Sequence, residues 1–109
     1  MLGFLFLTMF YVYIIYSPSS DIYYVGHSSN PIERLNQHNS NEGMKFTGKH
    51  ENWVIKAVFK VSNSRAEAMQ LEKFIKSQKS RSFIEKIIAE DFQPTGKLAK
   101  LVRVPHLRD

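Results

Sequence analysis

The chain has no cysteine in its 109 residues. That excludes a disulfide framework and a thiolate zinc site, and it suits a reducing compartment, so a cytoplasmic location is expected. No Lys or Arg precedes the apolar opening MLGFLFLTMF, and no small-residue cleavage site follows it. A secretory leader is therefore not expected. The apolar stretch from Leu2 to Tyr16 is short for a membrane span and contains Gly3 and Thr8, so no membrane partner is expected either. There is no internal repeat, and the length suits one domain. Acidic residues are the scarcer charge. Ten Asp and Glu stand against fifteen Lys and Arg, for a net charge of +5. Such a balance favours polyanionic partners, most often nucleic acid.

Hydrophobic residues make up 43% of the chain, enough for a small core. Residues 10–16, FYVYIIY, lack period-2 alternation and predict a strand buried on both faces. The turn residues SPSS follow, then a second strand over 21–26, so the pair reads as a hairpin. A loop of Ser17 to Ser20 would set Tyr16 opposite Asp21 and Tyr13 opposite Tyr24, two phenols side by side. Asn30-Pro31-Ile32-Glu33 opens a helix to about residue 38, with Asn30 as cap. Residues 53–61 alternate: Trp53, Ile55, Ala57, Phe59 and Val61 on one face, Lys56 and Lys60 on the other. That predicts a half-exposed third strand. Ser64-Arg65-Ala66-Glu67 caps a second helix whose core stripe includes Ala68, Leu71 and Ile75. A short third helix is marked by Phe83, Ile84, Ile87 and Ile88.

The expected fold is α/β (α+β): a small three-stranded, mainly antiparallel sheet flanked by helices, in the order β-β-α-β-α-α. Residues 1–8 read as an apolar extension, with Met9 an alternative natural start. Residues 9–90 form the domain. Residues 91–109 read as an unstructured tail, either a basic aid to binding or a segment without an evolved role.

Several residues carry chemistry, and each also has a plain structural use. A tyrosine in a strand usually packs, with its hydroxyl at the surface. Arg34 and His38, four apart, can be a solvated helix face. Glu72 stands four residues before Lys76, ordinary helix support. Taken together, YVYIIYS, YYVGHS, PIERLNQHN and SRAEAMQLEKFIKSQKSR resemble the GIY-YIG nuclease superfamily, in particular its small single-domain members. Tyr13 to Tyr24 is eleven residues, Tyr24 to Arg34 ten, and Arg34 to His38 four, so several spacings agree at once.

The resemblance implies that Tyr13 belongs to the first motif and that Tyr24, Val25 and Gly26 form the second. It implies that Arg34 and His38 are the first-helix site residues and that Glu72 is the metal-binding glutamate. His27 stands where some relatives carry lysine, and it reads either as an aid to proton transfer or as a bystander. Tyr11 replaces the first motif's glycine, and the asparagine found late in many relatives is not evident.

The implied activity is hydrolysis of phosphodiester bonds by a metal-dependent endonuclease, suited to DNA repair, with Mg²⁺ as cofactor and Mn²⁺ as a substitute. Glu72 would hold the ion and Arg34 would grip phosphate oxygens bidentately. Tyr13 or Tyr24 would accept the proton of the attacking water. DNA is the expected partner, with RNA left open. Gly26, Lys45, Lys49, Lys56 and Lys60 are expected to contact it, and the protein is expected to be a monomer or weak dimer. A non-catalytic nucleic-acid binder on the same fold is the alternative.

Overall fold

The computed structural model describes residues 8–40, 50 and 52–105. Four strands form one antiparallel sheet in the order β2-β1-β3-β4. In chain order the elements are β1 (Phe10–Ser17), β2 (Ile22–Ser28), α1 (Pro31–Ser40), β3 (Val54–Ser62), α2 (Arg65–Ser77), α3 (Arg81–Ile88) and β4 (Val102–Arg103). The mixed class and the helical flanks are as expected, but the sheet has four strands where three were predicted. None of the helices among the described residues is long and apolar enough to cross a membrane.

β1 lies at the centre because its run of apolar residues needs cover on both faces. Val12, Tyr13, Ile14 and Ile15 are all buried. Val12 and Ile14 join Val25, Ala57 and Phe59 under α2, α3 and the segment after them. Tyr13 and Ile15 join Trp53, Ile55 and Val58 on the opposite face, where Leu35 of α1 packs.

The hairpin register differs from the expected one. Tyr13 lies opposite Gly26, Ile15 opposite Tyr24 and Tyr16 opposite Tyr23. The loop is residues 18–21: the Asp21 N–H donates to the Ser17 carbonyl at 2.7 Å, and Asp21 takes a left-handed φ of 57°. β1 therefore runs one residue further before turning, and every pairing moves by two. A shift of two preserves the face. Tyr13 and Tyr24 still project from the same side, now as diagonal rather than direct neighbours.

β3 also departs from its expected alternation. Ile14 pairs with Ala57, but Ile15 pairs with Ile55, so the register shifts between them at Lys56. An extra residue exchanges the faces of everything beyond it. Trp53 and Ile55 consequently face the Tyr13 side, while Ala57 and Phe59 face α2. The middle of β3 is buried on both faces rather than half exposed.

Both predicted caps form. The Glu33 N–H donates to Asn30 Oδ1 at 3.2 Å, and the Glu67 N–H to Ser64 Oγ at 3.2 Å. Ser80 caps α3 in the same way through the Phe83 N–H.

The segment after residue 91, expected to be unstructured, is packed onto the domain as far as it is described. Leu98 and Leu101 are buried in the α2 and α3 side of the core. A short 3-10 turn at Gly96–Leu98 leads to β4, which supplies the fourth strand beside β3. Arg103 then donates from Nη2 to the carbonyls of Ile87 (3.1 Å) and Ala89 (2.8 Å). Those carbonyls end α3, where a helix leaves acceptors without intrahelical partners.

Candidate active site

The site is built around β2, the strand at one edge of the sheet. Alternation along β2 sends Tyr24 to the Tyr13 side and His27 to the α2 side. α1 brings Arg34 and His38 over the first face, and α2 brings Glu72 and Lys76 along the second. The groups of the two faces meet at the strand edge, where the Lys76 ammonium lies 4.8 Å from the centre of the Tyr24 ring.

Tyr13 and His38 form the buried part. Each is 1% exposed, and the Tyr13 hydroxyl and His38 Nε2 are 2.8 Å apart. Burial pushes the Tyr13 phenol up to about 12, and the nearby Arg34 guanidinium only partly offsets this. Burial, with the Arg34 charge, pushes His38 down to about 4. At neutral pH both groups are therefore uncharged, and one proton lies between them.

Tyr24 is only partly buried. Its ring centre is 5.2 Å from that of His38 and 6.3 Å from that of Trp53. Arg34 is held at the same mouth by Nη1 donation to Gln37 Oε1 at 2.9 Å. Glu72 is held on both oxygens. His27 Nδ1 is 2.5 Å from Oε1, and Lys76 Nζ is 2.7 Å from Oε2. The charges of Arg34 and Glu72 both act on the Tyr13 hydroxyl, in opposite directions. The pair of tyrosines, the cation and the carboxylate thus share one electrostatic neighbourhood.

Gly26 sits directly across from Tyr13. A Cβ there would lie 2.4 Å from the Tyr13 hydroxyl oxygen and 2.5 Å from the ring carbon bearing it. The glycine is buried, and its lack of a side chain leaves room for the phenol. Gly26→Ala is expected to push the ring off its His38 partner and to cost about 1–3 kcal/mol as an overpacking change. Urea unfolding measures it. A variant with parental stability and an unchanged Tyr13 environment would show that the ring has room to yield.

Of the expected lysines, Lys56 and Lys60 lie among the described residues. Lys56 sits at the β3 irregularity, with its ammonium 5.6 Å from the centre of the Tyr16 ring. Lys60 is exposed and lies opposite Tyr11, one step beyond the Tyr13 pair on the same face. Lys45 and Lys49 lie outside the described residues.

Three residues of the site were not read as part of it. Trp53 closes the aromatic group through contacts with His38 (6.4 Å) and His50 (6.1 Å). Asn39 fixes it there. Its Nδ2 donates to the Trp53 carbonyl at 3.0 Å, and its Oδ1 accepts from the Trp53 N–H at 2.7 Å. Nothing in local sequence links residues 39 and 53. Lys76 had a visible signal, its spacing of four from Glu72.

Whether a divalent cation suits this site is a question of donor chemistry. Among the described residues, no three His, Asp or Glu groups cluster closely enough to cage a metal ion. A hard cation such as Mg²⁺ needs no such cage. It is commonly held by one or two carboxylates, with waters and substrate phosphates completing the shell. Glu72 is a partly buried carboxylate whose side chain is 15% exposed, and its two oxygens are engaged here by the Lys76 ammonium and the His27 ring. Those donors could yield their places to a cation of higher charge. The donor set fits.

A buried phenol–imidazole pair, an arginine and a carboxylate at one sheet edge are groups that phosphodiester chemistry can use. The model of the GIY-YIG catalytic domain matches residues 9–86 of the chain, and the protein belongs to the GIY-YIG family. The family supports nuclease-type action on nucleic acid in general. Among curated proteins, none matches the chain.

Proposed function

We propose that the chain is a divalent-metal-dependent endonuclease hydrolysing phosphodiester bonds in DNA, with weak sequence preference or selectivity for structure. The observation that supports this most is the meeting of Tyr13, Tyr24, Arg34, His38 and Glu72 around one strand edge, from four separate elements. Phosphodiester hydrolysis needs an activated water, a counter-charge for the phosphate and help for the leaving oxygen. Mg²⁺, bound through Glu72, would supply Lewis acidity at the phosphate.

The chain's own groups divide the rest. Arg34 binds phosphate oxygens through its planar fork. Tyr24, the more accessible phenol, meets the attacking water. Tyr13 stays a neutral phenol and, with His38, fixes the ring of Tyr24 from behind. A bound phosphate would offset the Arg34 charge that depresses His38, so substrate binding makes the imidazole a better proton acceptor.

Incubating the protein with branched, nicked and single-stranded DNA plus Mg²⁺ or Mn²⁺ tests the reading. Cleavage of at least one form is expected. Arg34→Lys keeps the charge and loses the fork, so it should cut at least about tenfold more slowly while binding DNA within about threefold of the parent. No cleavage of any form at high protein concentration would reject the enzyme. Equal rates for Arg34→Lys would return that residue to an ordinary helix surface.

The second reading is a non-catalytic binder on the same fold. The double engagement of Glu72 by His27 and Lys76 favours it, because a carboxylate so satisfied needs no metal. Metal-independent DNA binding without cleavage would support it.

A further inference from the structure

Beside the site lies a cavity of about 290 Å³, lined by Tyr23, Tyr24, Val25, Ile75, Lys76, Lys79, Ser80 and Ile84. It is near the lower end of the roughly 300–1,000 Å³ that small ligands occupy. Tyr24 and Lys76 belong to both the cavity and the site, so the two are contiguous. None of the chemistry described above uses the remaining lining.

The lining has three parts. Val25, Ile75 and Ile84 are apolar, and two tyrosine side chains stand beside them. Lys76 and Lys79 supply positive charge. Lys79 is exposed, takes a left-handed φ of 49° between α2 and α3, and enters none of the ion pairs among the described residues. Two of the neutral polar groups, Ser80 and Tyr23, are already engaged. Ser80 Oγ accepts from the Phe83 N–H and bonds Ser82 Oγ, and the Tyr23 hydroxyl donates to Glu85. Glu85 is in turn paired with Arg81 at 3.3 Å.

We infer that this cavity receives the nucleotide next to the scissile phosphate, with its base unpaired. The inference rests on the nuclease reading of the adjoining site. A base in a duplex has both faces stacked, so it can enter a concave pocket only after leaving the stack. Once there, its faces meet apolar and aromatic side chains while Lys79 and Lys76 meet the flanking phosphates. Engaged hydroxyls leave little to read base edges, so any of the four bases serves. The substrate class is DNA with at least one unpaired nucleotide at the cleavage point.

Fluorescence anisotropy in metal-free buffer tests this on the full chain. The probes are a nicked duplex carrying one unpaired nucleotide, the matched fully paired nicked duplex, and the first probe with an abasic residue at the unpaired position. The parent should bind the first about tenfold more tightly than the other two, and within about twofold for all four bases. Ile84→Trp fills the cavity and should abolish that preference while retaining binding to the paired duplex. Lys79→Glu, at an exposed position that tolerates change, should weaken all binding and lower the salt slope by about one or more. A parent that binds paired and unpaired probes equally would overturn the inference, as would a folded Ile84→Trp protein that keeps the preference. Preference without metal-dependent cleavage would keep the cavity as a binding site for an unpaired nucleotide, remove the nuclease reading, and overturn the placement beside a scissile phosphate. Cleavage without preference would overturn the inference and keep the nuclease reading.

Discussion

Glu72→Gln should abolish metal-dependent cleavage while the protein stays folded. Glutamine keeps the shape of the side chain and removes its charge, so α2 loses no packing. The lost pair with Lys76 has that lysine 42% exposed, and such a pair contributes under about 1 kcal/mol. Melting should therefore move by only a few degrees. A neutral amide is a far weaker ligand for a hard cation than a carboxylate. The cleavage rate should fall by about a thousandfold or more, at 1.36 kcal/mol of transition-state stabilisation for each factor of ten. DNA affinity should be similar or slightly higher, since a negative charge beside the phosphate has gone. Melting temperature, affinity and Mg²⁺-dependent cleavage belong on one preparation. If Glu72 only supports its helix, the same variant will cut at the parental rate, and the metal role assigned to it fails.

Much of this arrangement was legible in the chain, for reasons that are mostly local. Tyr13 and Tyr24 reach the same face because strand parity survives a register error of two, and only an odd slip would have separated them. Asn30 and Ser64 act as caps because capping is decided within one helical turn. The spacing of four between Glu72 and Lys76 on a helix likewise puts them in contact.

What stayed hidden depends on distant neighbours. The irregularity at Lys56 exchanges the faces of Trp53 and Ile55, and no residue around 56 announces it. Asn39 and Trp53 exchange two hydrogen bonds across fourteen positions that show no local pattern. The role of Gly26 is visible only once Tyr13 is known to stand across from it. Residues 92–105 have no helical or strand period long enough to read. Their order comes from surfaces already made by β3, α2 and α3.

That order makes the second large prediction: a chain ending at residue 91 should not hold its native fold. The missing segment contributes Leu98 and Leu101, 5% and 2% exposed, and the Phe92 ring, 6.2 Å from that of Phe59. Fully burying side chains of this kind stabilises by roughly 1.5–3 kcal/mol each. The cut also removes Arg103 from the end of α3 and the 2.8 Å bond from the Val104 N–H to the Val58 carbonyl. β3 would become an exposed edge, prone to pairing with another chain. Against a total stability of about 5–15 kcal/mol for a domain, these losses are enough to unfold it. Circular dichroism and urea titration of the shortened chain should show loss of the cooperative transition, or aggregation. Leu101→Ala in the full chain separates packing from length and should cost about 2–5 kcal/mol. Lys100→Ala removes the 2.7 Å pair with Glu67, whose lysine is 61% exposed, and should cost less than about 1 kcal/mol. If the shortened protein melts as the full one does, β4 and the two leucines are passengers on a domain complete without them.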